Sequence, residues 1–204
     1  MQTNRWNEKF SKEGFMYGIH PNEFIKNNIH LIPKKSRILC LAEGEGRNAI
    51  YLASLGYEIE ALDASDVGLD KLNKRAKEEK LSIKTTLIDL EDWKPTEDFD
   101  AIVASFMHLP EPLRSKAFKT AIGALKPQGY MIMEFFSKDQ MREGFTSGGP
   151  KDLDLLYDVE SLKPCFEDQA VDIIQLNQEE DVLDEGWGHQ GPASLIRVIL
   201  QKKE

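Results

Sequence analysis

Hydrophobic positions along the chain alternate between short apolar runs and stretches of helical spacing. Ile38, Leu39 and Leu41 read as a buried strand, and Ala49, Ile50, Leu52, Ala53 and Leu55 as a helix that Gly56 stops. Tyr57 to Leu62 predicts a second strand with Asp63 at its end. A helix from about Asp66 to Glu79 turns Leu69, Leu72 and Ala76 inward and its lysines and glutamates outward. Ser82 to Ile88 reads as a third strand and Phe99 to Ser105 as a fourth. Leu113, Ala117, Phe118, Ala121, Ile122 and Leu125 then mark a helix ending near Lys126–Gly129. Tyr130 to Phe136 is a nearly continuous apolar run, a fifth strand covered on both faces, in which Glu134 needs a partner. Val159 to Pro164 predicts a short helix, and Gln169–Gln178 and Ala193–Leu200 two last strands. Upstream, Pro21 opens a helix carrying Phe24, Ile25 and Ile29, which Pro33 ends.

This order predicts an α/β fold: a doubly wound, mostly parallel seven-stranded sheet of Rossmann-like type. No helix separates the last two strands, so they form a C-terminal antiparallel hairpin. Residues 1–204 read as one domain, with 1–35 an N-terminal arm and helix closing over the site.

The chemistry gathers at Glu43-Gly44-Glu45-Gly46, where the first strand turns into its helix. Gly44 and Gly46 permit a sharp turn and a close approach of backbone to ligand. Strand, glycine turn and helix is the architecture of a nucleotide-type cofactor site, and also of an ordinary tight turn. Asp63 follows Gly44 by 19 residues, close to the spacing of a carboxylate that holds ribose hydroxyls. Ser65 and Asp66 also suit the cap of the next helix, and both roles fit one segment. Parallel strands put these ends on one edge, where Asp89 could read the amino edge of a base with Leu90 or Trp93 against its flat face, although by itself Asp89-Leu90-Glu91-Asp92 reads somewhat better as an acidic surface turn. The long aperiodic segment from Ser137 to Asp158 and the loop from Asp184 to Pro192, with Trp187 and His189, should converge there too.

Composition narrows the partners. With 26 basic and 35 acidic residues the net charge is −9 and no basic patch stands out, which argues against nucleic acid. Gln2 to Lys12 is polar rather than signal-like, and no apolar run approaches membrane-spanning length. Cys40 and Cys165 make neither a metal pattern nor a disulfide framework, so a reducing cytoplasm and no metal are expected.

Together these residues resemble the class I S-adenosylmethionine-dependent methyltransferases, and most closely the bacterial tellurite-resistance-type and thiopurine-methyltransferase-like enzymes. The resemblance runs through Trp6 to Tyr17-Gly18 with Pro21-Asn22, Leu39 to Asn48, Leu62-Asp63-Ala64-Ser65 and Asp89-Leu90. It continues through Phe99-Asp100-Ala101-Ile102, Leu125-Lys126-Pro127-Gln128-Gly129 and Gly148-Gly149-Pro150. It implies S-adenosylmethionine as cofactor. The backbone at Gly44 and Gly46 would lie against its methionine part, Asp63 with Ala64 at the ribose, and Asp89 and Leu90 at the adenine. Ser105 and Phe106 would flank the methionine moiety, and Trp6 and Tyr17 would help close the site. Cys40 and Ala42 stand where the family pattern has an acidic residue and its first glycine, which leaves Glu43 as the nearest carboxylate for the cofactor's amino group.

The implied reaction is methyl transfer to a small molecule, with a soft nucleophile such as a thiol or chalcogen oxyanion needing no strong base. An oxygen or nitrogen nucleophile would draw on His108 or His189. A monomer or homodimer is expected. Two other readings stand. Gly44-Glu45-Gly46-Arg47-Asn48-Ala49 also fits the G-x-G-x-x-A of a nicotinamide-dependent oxidoreductase, and a non-catalytic S-adenosylmethionine-binding protein would look the same.

Overall fold

A computed structural model describes the backbone of residues 2–204 and the side chains of residues 5–204. Helices α1 (Gln2–Phe10) and α2 (Glu23–Asn28) precede β1 (Arg37–Leu41). Then come α3 (Arg47–Ser54), β2 (Glu58–Asp63), α4 (Asp66–Glu78), β3 (Ile83–Leu87) and β4 (Phe99–Ser105). The rest is α5 (Leu113–Gly123), β5 (Leu125–Phe136), α6 (Asp139–Arg142), α7 (Val159–Glu167), β6 (Val171–Glu185) and β7 (His189–Lys202).

The seven strands lie in the order β3-β2-β1-β4-β5-β7-β6. The contacts from β3 through β5 are parallel, and β7 runs antiparallel between β5 and β6. This is the expected doubly wound sheet with its C-terminal hairpin. Alternation along the strands splits the core. Leu39, Leu41, Ile102, Met133 and Phe135 pack with Phe118 of α5 and Phe166 of α7. Ile38, Cys40, Val103 and Ile132 pack on the other face with Ile25 of α2, Ile50 and Leu52 of α3 and Leu72 of α4. Burial of such side chains contributes about 25 cal/mol per Å² of apolar surface and is the main force holding the layers.

Three boundaries differ from the sequence reading. The helix after Leu113 stops at Gly123, and β5 already begins at Leu125, which pairs with Phe99 before a register shift. Helix α7 runs past Pro164 to Glu167, started by a reciprocal cap between Asp158 and Ser161. The Asp184–Pro192 segment is mostly strand: Glu185 pairs with His189 across a three-residue turn, Gly186-Trp187-Gly188. Only Asp184 and Glu185 in it belong to the edge strand β6; His189 to Pro192 open the interior strand β7, and Gly188 before it, with Gly191 and Pro192 within it, read as loop residues and hide the strand.

Glu134 has its partners. Its Oε2 accepts from Arg197 Nε at 2.6 Å and its Oε1 from Asn22 Nδ2 at 2.6 Å. Asn22 also caps α2, accepting from the Ile25 amide at 3.1 Å.

Candidate active site

The C-terminal ends of β1, β2, β3 and β4 open into a cavity of about 310 Å³. That is the edge where a parallel sheet binds its ligand. The thirteen residues singled out from the sequence all line it. Glu43, Gly44, Gly46, Asp63 and Ala64 lie on one side, with Asp89 and Leu90 beyond β3. Ser105 ends β4 and Phe106 and His108 follow it, and Trp6, Tyr17 and His189 come from the arm and the hairpin. Trp187 is not on the lining; it is 53% exposed, with Lys12 Nζ 5.1 Å from its ring centroid.

The glycine corner is fixed by backbone hydrogen bonds to one carboxylate. Asp63 Oδ2 accepts from the Gly44 amide at 2.7 Å, and Oδ1 from the Ser65 amide at 2.7 Å. Burial raises the Asp63 pKa, and these amides oppose the rise. The glycines are needed for protein packing as well as for the turn. A Cβ on Gly46 would fall 2.3 Å from Leu72 Cγ, and one on Gly44 2.9 Å from Phe10 Cζ. Ala42 takes φ +50°, a left-handed conformation, at the position where the family pattern has glycine. Glu43 Oε1 accepts from the Ala49 amide at 2.7 Å. Burial pushes the Glu43 pKa up to about 7, against the pull of that amide and of Arg47.

The opposite wall is aromatic. The His189 ring lies 4.3 Å from Tyr17, 4.2 Å from Phe106 and 5.0 Å from Phe136, centroid to centroid. Phe106 is held at φ +54° immediately after β4, an outlier for a bulky residue and a form of strain that collects at functional sites. Burial pushes the Tyr17 hydroxyl up to about 12, so it remains a donor at neutral pH.

The arm folds over the cavity and is tied down on three sides. Glu45 accepts from the Met16 amide at 2.7 Å and from Lys71 Nζ at 2.7 Å, and Lys71 also donates to Gly14 O at 2.6 Å. Ser65 Oγ donates to Asn7 Oδ1 at 2.6 Å. The β6–β7 turn meets the arm backbone to backbone: the Gly188 amide donates to Met16 O at 2.9 Å. A Cβ on Gly186 would fall 2.3 Å from Gly18 N.

The two histidines differ. His108 Nδ1 lies 2.7 Å from Leu155 O, and its Nε2 accepts from the Phe136 amide at 3.3 Å. Both nitrogens are committed to backbone, and burial pushes the pKa down to about 3. Among the described residues His189 makes one polar contact, Nδ1 to Glu185 Oε2 at 3.4 Å. Sequence reasoning missed Arg47, Glu185, Asn22, Phe10 and Phe136. Arg47 Nη2 donates to Glu185 Oε2 at 2.8 Å, and Asn22 Nδ2 to Glu185 Oε1 at 3.0 Å. The signal for Phe136 was its place at the end of an apolar strand, two residues from Glu134; the Glu185 and Arg47 pairing had no local signal. Among the described residues no cluster of side chains suits a metal ion.

Comparison with known proteins agrees with this architecture. Residues 38–129 match the family model described as "Methyltransferase domain". The chain is 31% identical over 100 residues to the probable S-adenosyl-L-methionine-dependent methyltransferase TehB of Haemophilus influenzae, covering 49% of this chain and 34% of that protein. It thus spans about a third of that relative's length. The crystal structure of TehB from Haemophilus influenzae superposes with TM-score 0.73 at 20% identity, over 99% of this chain and 67% of that one. The N-methyltransferase NodS of Bradyrhizobium japonicum WM9, in complex with S-adenosyl-L-homocysteine, gives 0.72 at 13% identity, over 99% and 98%. A protein from work on the conversion of a disulfide bond into a thioacetal group during echinomycin biosynthesis gives 0.77 at 16% identity, over 100% and 92%. With a glycine corner, a strand-end carboxylate and this strand order all in place, residues 38–129 are similar to the methyltransferase-domain family, and the chain shares its fold with these solved methyltransferase structures.

Proposed function

We propose that the protein transfers the methyl group of S-adenosylmethionine to a small molecule through a soft nucleophilic atom, a thiol or a chalcogen oxyanion. The observation that carries this reading is the two-sided cavity: a backbone corner with carboxylates on one wall, and an aromatic chamber on the other.

The residues fit that cofactor. Arg47 lines the cavity, and its Nη1 is buried without a hydrogen-bond partner among the described residues. A ligand carboxylate would complete it. Asp63 uses two of its roughly four lone-pair sites on backbone amides and keeps the others for ribose hydroxyls. In this reading Ala64 lies beside the ribose, Asp89 and Leu90 meet the adenine, and Glu43 faces the amino group. The backbone of Gly44 and Gly46, with Ser105 and Phe106, flanks the methionine part.

When bound, the cofactor supplies a sulfonium leaving group and most of the driving force. The chain aligns the acceptor and excludes water, and such alignment is worth up to about 7–11 kcal/mol in well-oriented systems. Trp6 and Tyr17 close the chamber from the arm. The rings of Tyr17, Phe106, Phe136 and His189 favour a polarizable atom, since sulfur gains from contact with aromatic edges. His108, with both nitrogens occupied, shapes the wall, and His189 is the histidine placed to touch substrate. Among the described residues no helix is long and apolar enough to cross a membrane. We infer a cytoplasmic protein, monomeric or homodimeric, with no nucleic-acid partner.

Titration calorimetry with S-adenosylhomocysteine, and with NADH as comparator, tests the class. Binding of the former alone supports the methyltransferase; binding of NADH alone would return Gly44 and Asp63 to an oxidoreductase. Turnover on a panel of thiols and oxyanions then separates an enzyme from a binding protein.

A further inference from the structure

Glu185 and His189 form a buried pair to which the proposed cofactor contacts assign no role. They face each other across the hairpin turn and are 7% and 4% exposed. Glu185 accepts from Arg47 and Asn22 and has His189 Nδ1 beside the same oxygen that Arg47 reaches. An ionised carboxylate offers only lone pairs, so the hydrogen of that contact sits on His189 Nδ1. Nε2 is then the unprotonated nitrogen, and among the described residues it has no hydrogen-bond partner. The ring cannot turn freely. Tyr17, Phe106 and Phe136 enclose it, and Gly148 packs so closely that a Cβ there would fall 2.6 Å from His189 Cδ2, the carbon next to Nε2.

We propose that Glu185 is a positioning residue that fixes His189 as a proton acceptor through Nε2, and that the methyl acceptor is accordingly a thiol arriving with its proton rather than a preformed oxyanion. This rests on the methyltransferase reading and names its substrate class. The S–H bond breaks and its proton goes to Nε2. The electron pair left on the acceptor sulfur forms the new S–CH₃ bond. The bond between that methyl and the sulfonium breaks, and its pair remains on the departing sulfur, which becomes a neutral thioether. The products are a methyl thioether and a His189 imidazolium, which the Glu185 carboxylate stabilises.

The charges around the ring suit this cycle. Burial holds the His189 pKa down, opposed by Glu185 from β6 and reinforced by Arg47 from α3 and Lys9 from α1. His108, after β4, also faces it and is neutral. Burial alone would raise Glu185, but the His189 hydrogen bond and the Arg47 guanidinium outweigh it and bring it down to about 2. The base is therefore free, and its partner charged, at neutral pH.

Histidine ¹⁵N NMR of the whole chain reads the tautomer without cofactor. His189 should carry its proton on Nδ1, and Glu185→Gln should lower its pKa. His189→Gln should cut kcat/KM for an alkyl thiol at pH 7 by roughly 10²–10⁴-fold, the range of general-base catalysis. An aryl thiol already ionised at that pH should lose less than about tenfold, and the alkyl-thiol rate of the variant should climb with pH as the thiolate forms. Calorimetry with S-adenosylhomocysteine on each variant confirms that the site persists. Equal losses for both thiols, a proton on Nε2, or turnover of selenite with no thiol turned over would each overturn the proposal. Failure of the wild-type chain to bind S-adenosylhomocysteine would instead strike the methyltransferase reading, and the tautomer would still decide the pairing.

Discussion

The two walls of the cavity are built from different kinds of information. The wall of β1 and β2 is local and made of backbone: one carboxylate, Asp63, pins two amides in a corner 19 residues upstream and two residues on. The hairpin wall is non-local and made of side chains. Glu185 draws on Arg47 from 138 residues away and on Asn22 from 163. Breaking the first should damage ligand binding more than folding. Breaking the second should do the reverse, because its polar groups are buried and have no water to fall back on.

The largest effect is expected at Asn22. Its Nδ2 serves both Glu134 and Glu185, its Oδ1 caps α2, and its amide donates to Asn48 Oδ1 at 2.9 Å. Asn22→Leu removes the cap and leaves two buried carboxylates short of a donor. The loss should be about 4 kcal/mol, a fall of roughly 10 °C in melting temperature for a chain of this size, read by calorimetry or urea unfolding. A change within about 0.5 kcal/mol, the range of an ordinary surface substitution, would mean the hairpin wall does not depend on this bridge.

Next comes a pH effect that sets Glu43 against Glu185. Burial raises Glu43 from its ordinary 4.5 to about 7, so its contribution to stability is full below 4.5 and is lost as pH rises through about 7. Glu185 is displaced the other way, to about 2; its contribution is full above 4.5 and is lost as pH falls through 2. Glu43→Gln should flatten the fall between pH 4.5 and 7, a difference on the order of 3 kcal/mol at pH 8. Urea unfolding across that range measures it. An unaltered pH profile would show that Glu43 is already ionised in the folded chain.

Asp63→Ala should weaken S-adenosylhomocysteine binding about a hundredfold, or about 2.7 kcal/mol, while the chain still melts cooperatively. Unchanged affinity would remove Asp63 from the ligand site, leaving it as the anchor of the Gly44 turn.

The same contrast explains what could be read beforehand. Gly44, Gly46 and Asp63 were legible because a glycine turn and a strand-end carboxylate impose themselves on adjacent sequence. Glu134 was half legible: a carboxylate in the apolar run of β5 demands a partner, but the sequence does not say that Arg197 and Asn22 supply it. Glu185 was not legible at all. It sits in a run of acidic residues on β6, and only the fold distinguishes the one turned into the core from neighbours such as Asp184 and Glu180 turned to solvent. His189 was singled out by its loop, but its difference from His108 lies in which backbone groups approach each ring, information held by tertiary contacts alone.

The smallest expected effect is the sharpest test of where the aromatic wall ends. Trp187 stands at the tip of the hairpin between two glycines that touch the arm, so by position it belongs to the closing device. By packing it does not: more than half of it faces solvent, and its ring pairs with the Lys12 ammonium, an exposed cation–π pair worth about 0.5–1 kcal/mol. Trp187→Ala should therefore leave kcat/KM within about twofold and stability within about 1 kcal/mol. Gly188→Ala, one residue on, would drive a Cβ to 2.7 Å from the Tyr17 ring and should disturb closure far more. If the tryptophan variant instead lost activity while the Gly188 variant kept it, closure would run through the exposed indole, and the backbone contact between Gly186 and Gly18 would be incidental to it.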